Sequence, residues 1–307
     1  MFFFKQHGRT RTMFLRISLW LCLLILPASA QATVFATLEP GWHRTHLFWA
    51  IGPATNFPIS ELSFDSHGPA AIGRLTWIAP EHGWLIQGQI RGAYHLDGDV
   101  TDEDFLFPNH TGLFSRSESR IDGHLGFSLD LDAGWRFWKS SRVWGYFMGG
   151  FFFDQQRFRI TDGVQVVPDS GAFAGLNSDY RARWYGPSVG LRLLGLLRPL
   201  PFHLELQGRY YPHTIYRGRG LWNLRTDFAQ SPSFEHEATG HGGILQLHLR
   251  WPFHPQAGLQ VGWTAVFLRA DEGTDRTFFA DGTQDTTGLL EVSQDQHVFA
   301  VGLLYRF

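Results

Sequence analysis

The most regular feature of this chain is an alternation of apolar and polar positions that recurs in many short stretches. From residue 125 to residue 137 every odd-numbered position is apolar, whereas the even-numbered positions carry glycine, serine, aspartate or arginine. Residues 84–94 and 202–210 alternate in a similar way, with glycine at some of the apolar positions. Because successive side chains of a strand point to opposite sides, this period of two predicts β-strands with one apolar and one polar face.

The connections between these stretches are of two kinds. Short turns occur at residues 79–82, 139–141, 198–201 and 254–256, and long polar segments occur at residues 97–120, 217–240 and 271–295. Short turns alternate with long loops in outer-membrane β-barrels. The pattern therefore predicts an all-β fold, a transmembrane antiparallel β-barrel of about ten strands with short periplasmic turns and long extracellular loops.

The last strand, residues 298–307, is apolar at every second position and ends on Phe307. Such an ending is typical of the assembly signal of outer-membrane barrels, so we expect the barrel-assembly machinery as a partner. The alternative is an edge strand of a soluble β-sandwich. A small barrel is narrow, so we expect inward charges to occlude its interior. The residues predicted to point inward include Arg74, Arg91, Asp130, Asp132, Arg136, Arg192, Glu205, Arg209, Arg250 and Arg306.

Residues 1–30 have the composition of an export signal, with basic residues before an apolar run at residues 17–26 and small residues near Ala30. The predicted domains are a signal peptide at residues 1–30 and an outer-membrane β-barrel domain at residues 31–307. The predicted location is the bacterial outer membrane. The single cysteine, Cys22, falls within the signal, which excludes disulfides and thiol chemistry from the mature chain. The formal net charge of -2 argues against nucleic-acid binding.

The densest acidic segment runs from Asp97 to Asp104. In an extended backbone Asp102 and Asp104 point to the same side, and two close carboxylates can hold a water for attack on a carbonyl group. The same oxygens could bind calcium, and a solvated acidic loop is the third interpretation. The 15 histidines show no metal-ligand spacing, so no metal site is predicted. Four of them are predicted to point into the barrel, namely His95, His124, His203 and His248.

Several short motifs occur in a recognisable order, namely ISELSF at residues 59–64, AAIG at residues 70–73, DEDF at residues 102–105, ESR at residues 118–120, and YRARW at residues 180–184 followed by Pro187. In this order and spacing the chain resembles the omptin family of outer-membrane proteases, and the resemblance covers most of residues 31–307. The resemblance implies a barrel that cleaves peptides in an extracellular groove, with an activated water as the nucleophile.

Asp102 and Asp104 match the first catalytic pair of this family. The second pair, of the form Asp-x-His, is absent from residues 216–240, and His236 is the candidate for a shifted general base. The resemblance thus implies an aspartate-dependent endopeptidase that acts on a peptide substrate through Asp102, Asp104 and His236. Because loss of a general base costs roughly 10²- to 10⁴-fold in rate, the alternative is a catalytically inactive barrel with an adhesion, lipopolysaccharide-binding or structural role.

The resemblance also implies a lipid partner. Omptins hold lipopolysaccharide against their outer wall through basic residues, and Arg157 and Arg183 fall on two of those positions. Guanidinium groups suit lipid phosphates because they bind them in bidentate fashion. We therefore expect outer-membrane lipid and lipopolysaccharide as partners, and no cofactor other than lipopolysaccharide. The alternative is that these arginines lie at the polar membrane boundary without a specific partner.

Overall fold

The computed structural model describes residues 32–197 and 199–307, which form thirteen β-strands. In chain order the strands are β1 (Thr33–Gly52), β2 (Ser60–Ala79), β3 (Trp84–Tyr94), β4 (Asp97–Phe107), β5 (Thr111–Ile121), β6 (Leu125–Lys139), β7 (Val143–Val167), β8 (Gly171–Ala172), β9 (Ser178–Leu196), β10 (His203–Leu221), β11 (Phe234–His254), β12 (Ala257–Phe278) and β13 (Gln284–Arg306). The predicted signal peptide, residues 1–30, lies outside the described residues. In the described part of the chain, no helix is long and apolar enough to cross a membrane.

The strands form one antiparallel sheet that closes on itself, because β1 pairs with β2 on one side and with β13 on the other. Two positions around the ring are shared by two strands each. Both β3 and β4 pair with β2, and both β5 and β6 pair with β7. The two-residue strand β8 only extends β7 at its margin. The ring therefore has ten positions, which confirms the predicted barrel of about ten strands.

The outer wall carries an apolar belt. Leu75, Ile90, Leu131, Val261 and Val301 are each more than half exposed, although they lie on five different strands. A soluble monomer rarely exposes a continuous apolar surface of this extent. Such a belt around a closed barrel faces lipid in outer-membrane proteins, and the alternating inward positions are polar.

The interior is filled at two levels. Towards the short turns, Arg209 Nη1 lies 2.8 Å from Asp132 Oδ2 and 3.0 Å from Asp130 Oδ1, so these buried charges are paired. Towards the long loops, aromatic rings replace the charges, and the ring of Phe64 stacks on Phe158 at 5.0 Å. The inward prediction is confirmed by burial for Arg74, Arg91, Asp130, Asp132, Arg192, Glu205 and Arg209.

Two predictions about local structure are wrong. The polar segments at residues 97–120 and 271–295 are not long loops, because β4 and β5 occupy most of the first, and β12 and β13 occupy all of the second except residues 279–283. These strands extend the barrel beyond the apolar belt. Above the belt both faces of a strand can be polar, so no alternation marks it. His124 does not point inward, since its Nε2 lies 3.4 Å from Asp179 Oδ2 on the outer wall. The break between β5 and β6, where Gly123 has φ +67°, shifts the alternation.

Candidate functional site

The predicted aspartate pair lies on β4, beyond the apolar belt on the side of the long connections. Asp102 and Asp104 follow Val100 at intervals of two, and the Val100 side chain belongs to the aromatic core inside the barrel. Both carboxylates therefore sit over the lumen and not on the outer wall. The pairing register places Asp104 opposite Ser60 of β2 and Ser115 of β5. The structure thus brings the two predicted residues together at the extracellular mouth.

Burial perturbs both carboxyl groups. It raises the pKa of Asp102 to about 8, and the neighbouring charge of Asp104 adds to this rise. Burial also raises the pKa of Asp104, while the hydroxyl groups of Ser60 and Ser115 act in the opposite direction. The Asp102 Oδ1 atom is buried and has no hydrogen-bond partner among the described residues. The Asp102 carboxyl group is therefore mostly protonated at neutral pH.

The residue that faces this pair is Arg225, in the segment between β10 and β11. Its positive charge lowers the pKa of both Asp102 and Asp104. Its guanidinium group also binds Asp227, with Nη2 at 2.7 Å from Oδ2, and lies 4.0 Å from the ring centroid of Phe228. Sequence reasoning missed Arg225. The only available signal was its place in the loop where omptins carry their Asp-x-His pair.

The structure places His236 in a different environment from the aspartate pair. His236 is fully buried on β11, its Nδ1 lies 2.9 Å from the Tyr180 hydroxyl, and its Nε2 lies 3.1 Å from Asp275 Oδ1. The indole of Trp49 covers it edge-on at 4.8 Å. Among the described residues, no hydrogen bond joins His236 to Asp102 or Asp104. Its role as a general base therefore remains a prediction.

The arginines predicted to bind lipopolysaccharide belong to two rows on the outer wall. In one row Arg157 of β7, Arg181 of β9 and Arg219 of β10 are direct cross-strand neighbours. In the other row Arg183 and Arg217 are neighbours across β9 and β10. We call these five residues the arginine rows. Of the five, the sequence analysis named Arg157 and Arg183 only.

The arginine rows lie directly above the apolar belt. The next outward-facing row towards the short turns consists of Phe153, Tyr185 and Ile215, which are cross-strand neighbours on the same three strands. The outer surface therefore changes from apolar to basic within one row of side chains. In an outer-membrane barrel this height corresponds to the boundary between lipid tails and headgroups.

The arginine rows are crowded with positive charge. Burial lowers the pKa of Arg181, and the charges of Arg183 and Arg157 lower it further. The Arg181 Nε atom is buried without a hydrogen-bond partner in the described part of the chain. Like charges directly opposite each other on a sheet are destabilising. The carboxylates that border the rows and offset part of this charge are Asp179, Glu235 and Glu237.

The acidic segment that could bind calcium is engaged in ion pairs at its start. Arg120 lies 2.8 Å from Asp97 Oδ1 and 3.8 Å from Asp99 Oδ1. Within residues 32–197 and 199–307, no group of three or more His, Cys, Asp or Glu side chains is placed to hold a metal ion. Calcium binding at this segment stays an untested prediction.

The sequence profile of the Protochlamydia outer membrane protein family matches residues 37–298. The chain belongs to this family. Among solved structures, its fold is similar to that of the outer membrane protease OmpT from Escherichia coli, with a TM-score of 0.77 and 14% identity over 90% of this chain and 97% of OmpT. The translocator domain of the autotransporter NalP from Neisseria meningitidis matches with a TM-score of 0.38 and 13% identity, over 96% of this chain and 95% of that domain. Comparison with curated proteins gave no match.

For this member of the Protochlamydia outer membrane protein family, the likeness to OmpT establishes the fold alone. It confirms the predicted all-β fold class, a closed antiparallel outer-membrane barrel. Family and fold together place the protein in the bacterial outer membrane, as predicted. The omptin resemblance therefore holds at the level of the fold, and 14% identity does not extend it to protease activity.

Proposed function

We propose that this barrel binds lipopolysaccharide on its outer wall through the arginine rows, and that it does so without omptin-type proteolysis. The observation that carries the proposal is the row of Arg157, Arg181 and Arg219. Arg157 is paired with Asp179 at 2.7 Å and Arg219 with Glu235 at 3.2 Å, whereas Arg181 between them forms no ion pair among the described residues and is repelled by neighbouring arginines. A phosphate group of lipid A would supply an anion for Arg181 at that height, and guanidinium forks bind phosphate in bidentate fashion.

The absence of proteolysis follows from the surroundings of the aspartate pair. Activation of a water needs a base that can accept its proton. Asp102 already holds a proton near neutral pH, and the charge of Arg225 stabilises the remaining negative charge of the pair. The buried histidine, His236, is engaged with Tyr180 and Asp275. A carboxyl pair whose negative charge is stabilised by a nearby arginine suits a stable binding surface better than water activation.

The lipid proposal is tested by equilibrium binding of lipopolysaccharide to the purified barrel in a non-ionic detergent. We expect Arg157→Gln with Arg183→Gln, and separately Arg181→Gln, to weaken binding by at least about tenfold, because each removes charge-assisted contacts to phosphate. Arg44→Gln is the matched control. Arg44 is an exposed arginine on β1, away from the arginine rows, and it pairs with Asp65 of β2 at 3.3 Å. Equal binding by all four proteins would contradict the proposal.

A second candidate function, an aspartate-dependent endopeptidase, is favoured by one specific observation. The raised pKa of Asp102 beside Asp104 gives a carboxylic acid and a carboxylate in one site, the combination that serves as acid and base in two-carboxylate hydrolases. In this alternative the pair orients a water for attack on a peptide, and His236 acts as the shifted base predicted from the sequence.

Incubation of the lipopolysaccharide-loaded barrel with a mixed peptide library separates the two candidates. Our proposal predicts no cleavage by the wild-type protein. Cleavage that is lost in Asp102→Asn and in Asp104→Asn would establish the endopeptidase instead. In that case, loss of cleavage in His236→Gln at unchanged thermal stability would identify His236 as the general base. Retained cleavage in this variant would show that the two aspartates act without it.

A further inference from the structure

The barrel contains a cavity at the end opposite to the arginine rows. It has a volume of about 240 Å³ and opens between the short turns, which face the periplasm in outer-membrane barrels. Its walls are mostly apolar and include Phe35, Ile78, Trp144 and Leu194. Its ionisable lining residues are Arg74, Arg142, Arg192, His203, Glu205, Arg250, His254 and Arg306.

The cavity has an excess of positive charge. Glu205 is the only carboxylate among the described lining residues, and it is shared by Arg192 at 2.8 Å, Arg250 at 2.6 Å and Arg74 at 3.6 Å. At the rim, neither Arg142 nor Arg306 forms an ion pair within the described part of the chain. The buried Glu39 acts electrostatically on Arg74, so the five lining arginines face two carboxylates among the described residues.

Arg74, Arg192 and Arg250 lie inside the barrel wall, where unbalanced positive charge is unfavourable because the surrounding lipid has a low dielectric constant. Arg142 and Arg306 add positive charge at the exposed rim. An anion that entered from the aqueous side would offset it. The apolar walls would at the same time favour a ligand with an apolar part. At about 30 Å³ per non-hydrogen atom, the cavity holds roughly eight such atoms, which is a charged head with a short tail.

We propose that this cavity binds a small organic anion with an apolar tail, such as a short-chain monocarboxylate, from the periplasmic side. The carboxylate head would lie among the arginines and the tail against Phe35, Ile78 and Trp144. The proposal is independent of lipopolysaccharide binding, because the two sites lie at opposite ends of the strands.

Tryptophan fluorescence tests the proposal directly, because Trp144 lines the cavity and bromine quenches indole emission. The purified barrel in non-ionic detergent is titrated with 6-bromohexanoate and, in parallel, with the neutral 6-bromohexanol. We expect saturable quenching by the acid and an affinity for the alcohol at least about tenfold weaker. Trp144→Phe should remove most of the saturable component, since Trp144 is the only tryptophan among the described lining residues.

The rim arginines provide the matched variants. Arg142→Gln with Arg306→Gln removes two unpaired charges without disturbing the pairs around Glu205, so the barrel should fold normally and bind 6-bromohexanoate about tenfold more weakly. Arg44→Gln on the outer wall should bind like the wild type. Equal quenching by acid and alcohol, quenching that does not saturate, or unchanged affinity in the rim variant would each overturn the proposal.

Discussion

At the scale of single residues, the barrel holds several polar groups whose partners are incomplete. Arg181 Nε and Asp102 Oδ1 are both buried without a hydrogen-bond partner among the described residues. Both lie beyond the apolar belt, where a ligand or a proton can reach them. Arg181 therefore makes the stability of the barrel depend on a bound anion, and Asp102 makes it depend on pH.

Replacement of Arg181 by glutamine should have opposite effects with and without lipid. Without lipid, Arg181→Gln relieves the repulsion by Arg157 and Arg183 and should raise the free energy of unfolding by up to about 1 kcal/mol. With lipopolysaccharide, the wild type should gain more stability than the variant. Thermal unfolding in detergent measures both. Destabilisation of the lipid-free variant would show that Arg181 is not under charge strain.

Replacement of Asp102 by asparagine should remove a pH dependence. Because the folded-state pKa is raised to about 8, the native state binds more protons than the unfolded state between about pH 4 and pH 8, so stability falls as pH rises through this window. Asp102→Asn stays neutral and should be more stable than the wild type at pH 9 by at least about 1 kcal/mol. Urea unfolding from pH 4 to pH 9 measures this stability difference, with Asp99→Asn at an exposed position as the control. If the free energy of unfolding of Asp102→Asn and of the wild type depended on pH in the same way, the prediction would be refuted.

At the scale of strands, the sequence predicted a strand wherever one of its faces meets lipid and the other meets the lumen. The alternation at residues 125–137 is visible because water is absent from one face, and the structure has a strand there, β6. It was invisible in β4 and β5, since their outer faces meet water and their inward positions other than Val100 and Ile121 carry polar side chains or glycine. The breaks between β3 and β4 and between β5 and β6 each shift the alternation, and this is why His124 was assigned to the wrong face.

The same limit applies to the candidate site. The pair at Asp102 and Asp104 could be predicted because the two residues are close in the sequence. The contribution of Arg225 and the environment of His236 depend on how distant strands align around the ring. The arginine row is likewise a product of register, since Arg157, Arg181 and Arg219 come together from three separate strands.

Gly123 tests the role of the break between β5 and β6. It has φ +67°, and a Cβ atom there would lie 2.6 Å from the Tyr94 hydroxyl. We expect Gly123→Ala to destabilise the barrel by at least about 1–2 kcal/mol. Gly92→Ala on β3 is the matched control, because a Cβ atom there would meet nothing within 4 Å. Equal unfolding midpoints of the two variants would contradict this explanation of the break.

At the scale of the whole molecule, the last strand closes the ring against the first. Phe307 is largely exposed and contributes one backbone hydrogen bond, from its N–H to the Val34 carbonyl at 3.0 Å. We expect Phe307→Ala to refold in detergent like the wild type but to reach the outer membrane in smaller amounts, because the barrel-assembly machinery loses its signal. Heat-modifiable gel mobility and membrane fractionation measure the two effects. Phe299→Ala, an exposed phenylalanine of the same strand, should assemble normally.

The barrel carries concentrated positive charge at two heights: the arginine rows at the outer lipid boundary and the cavity between the short turns at the other end. The account depends most on the claim that the arginine rows recognise phosphate. Native mass spectrometry of the barrel with lipid A and with dephosphorylated lipid A tests this directly. The account predicts that the wild type retains the phosphorylated lipid preferentially and that Arg181→Gln with Arg183→Gln abolishes the preference. Equal retention of the two lipids by the wild type would contradict it.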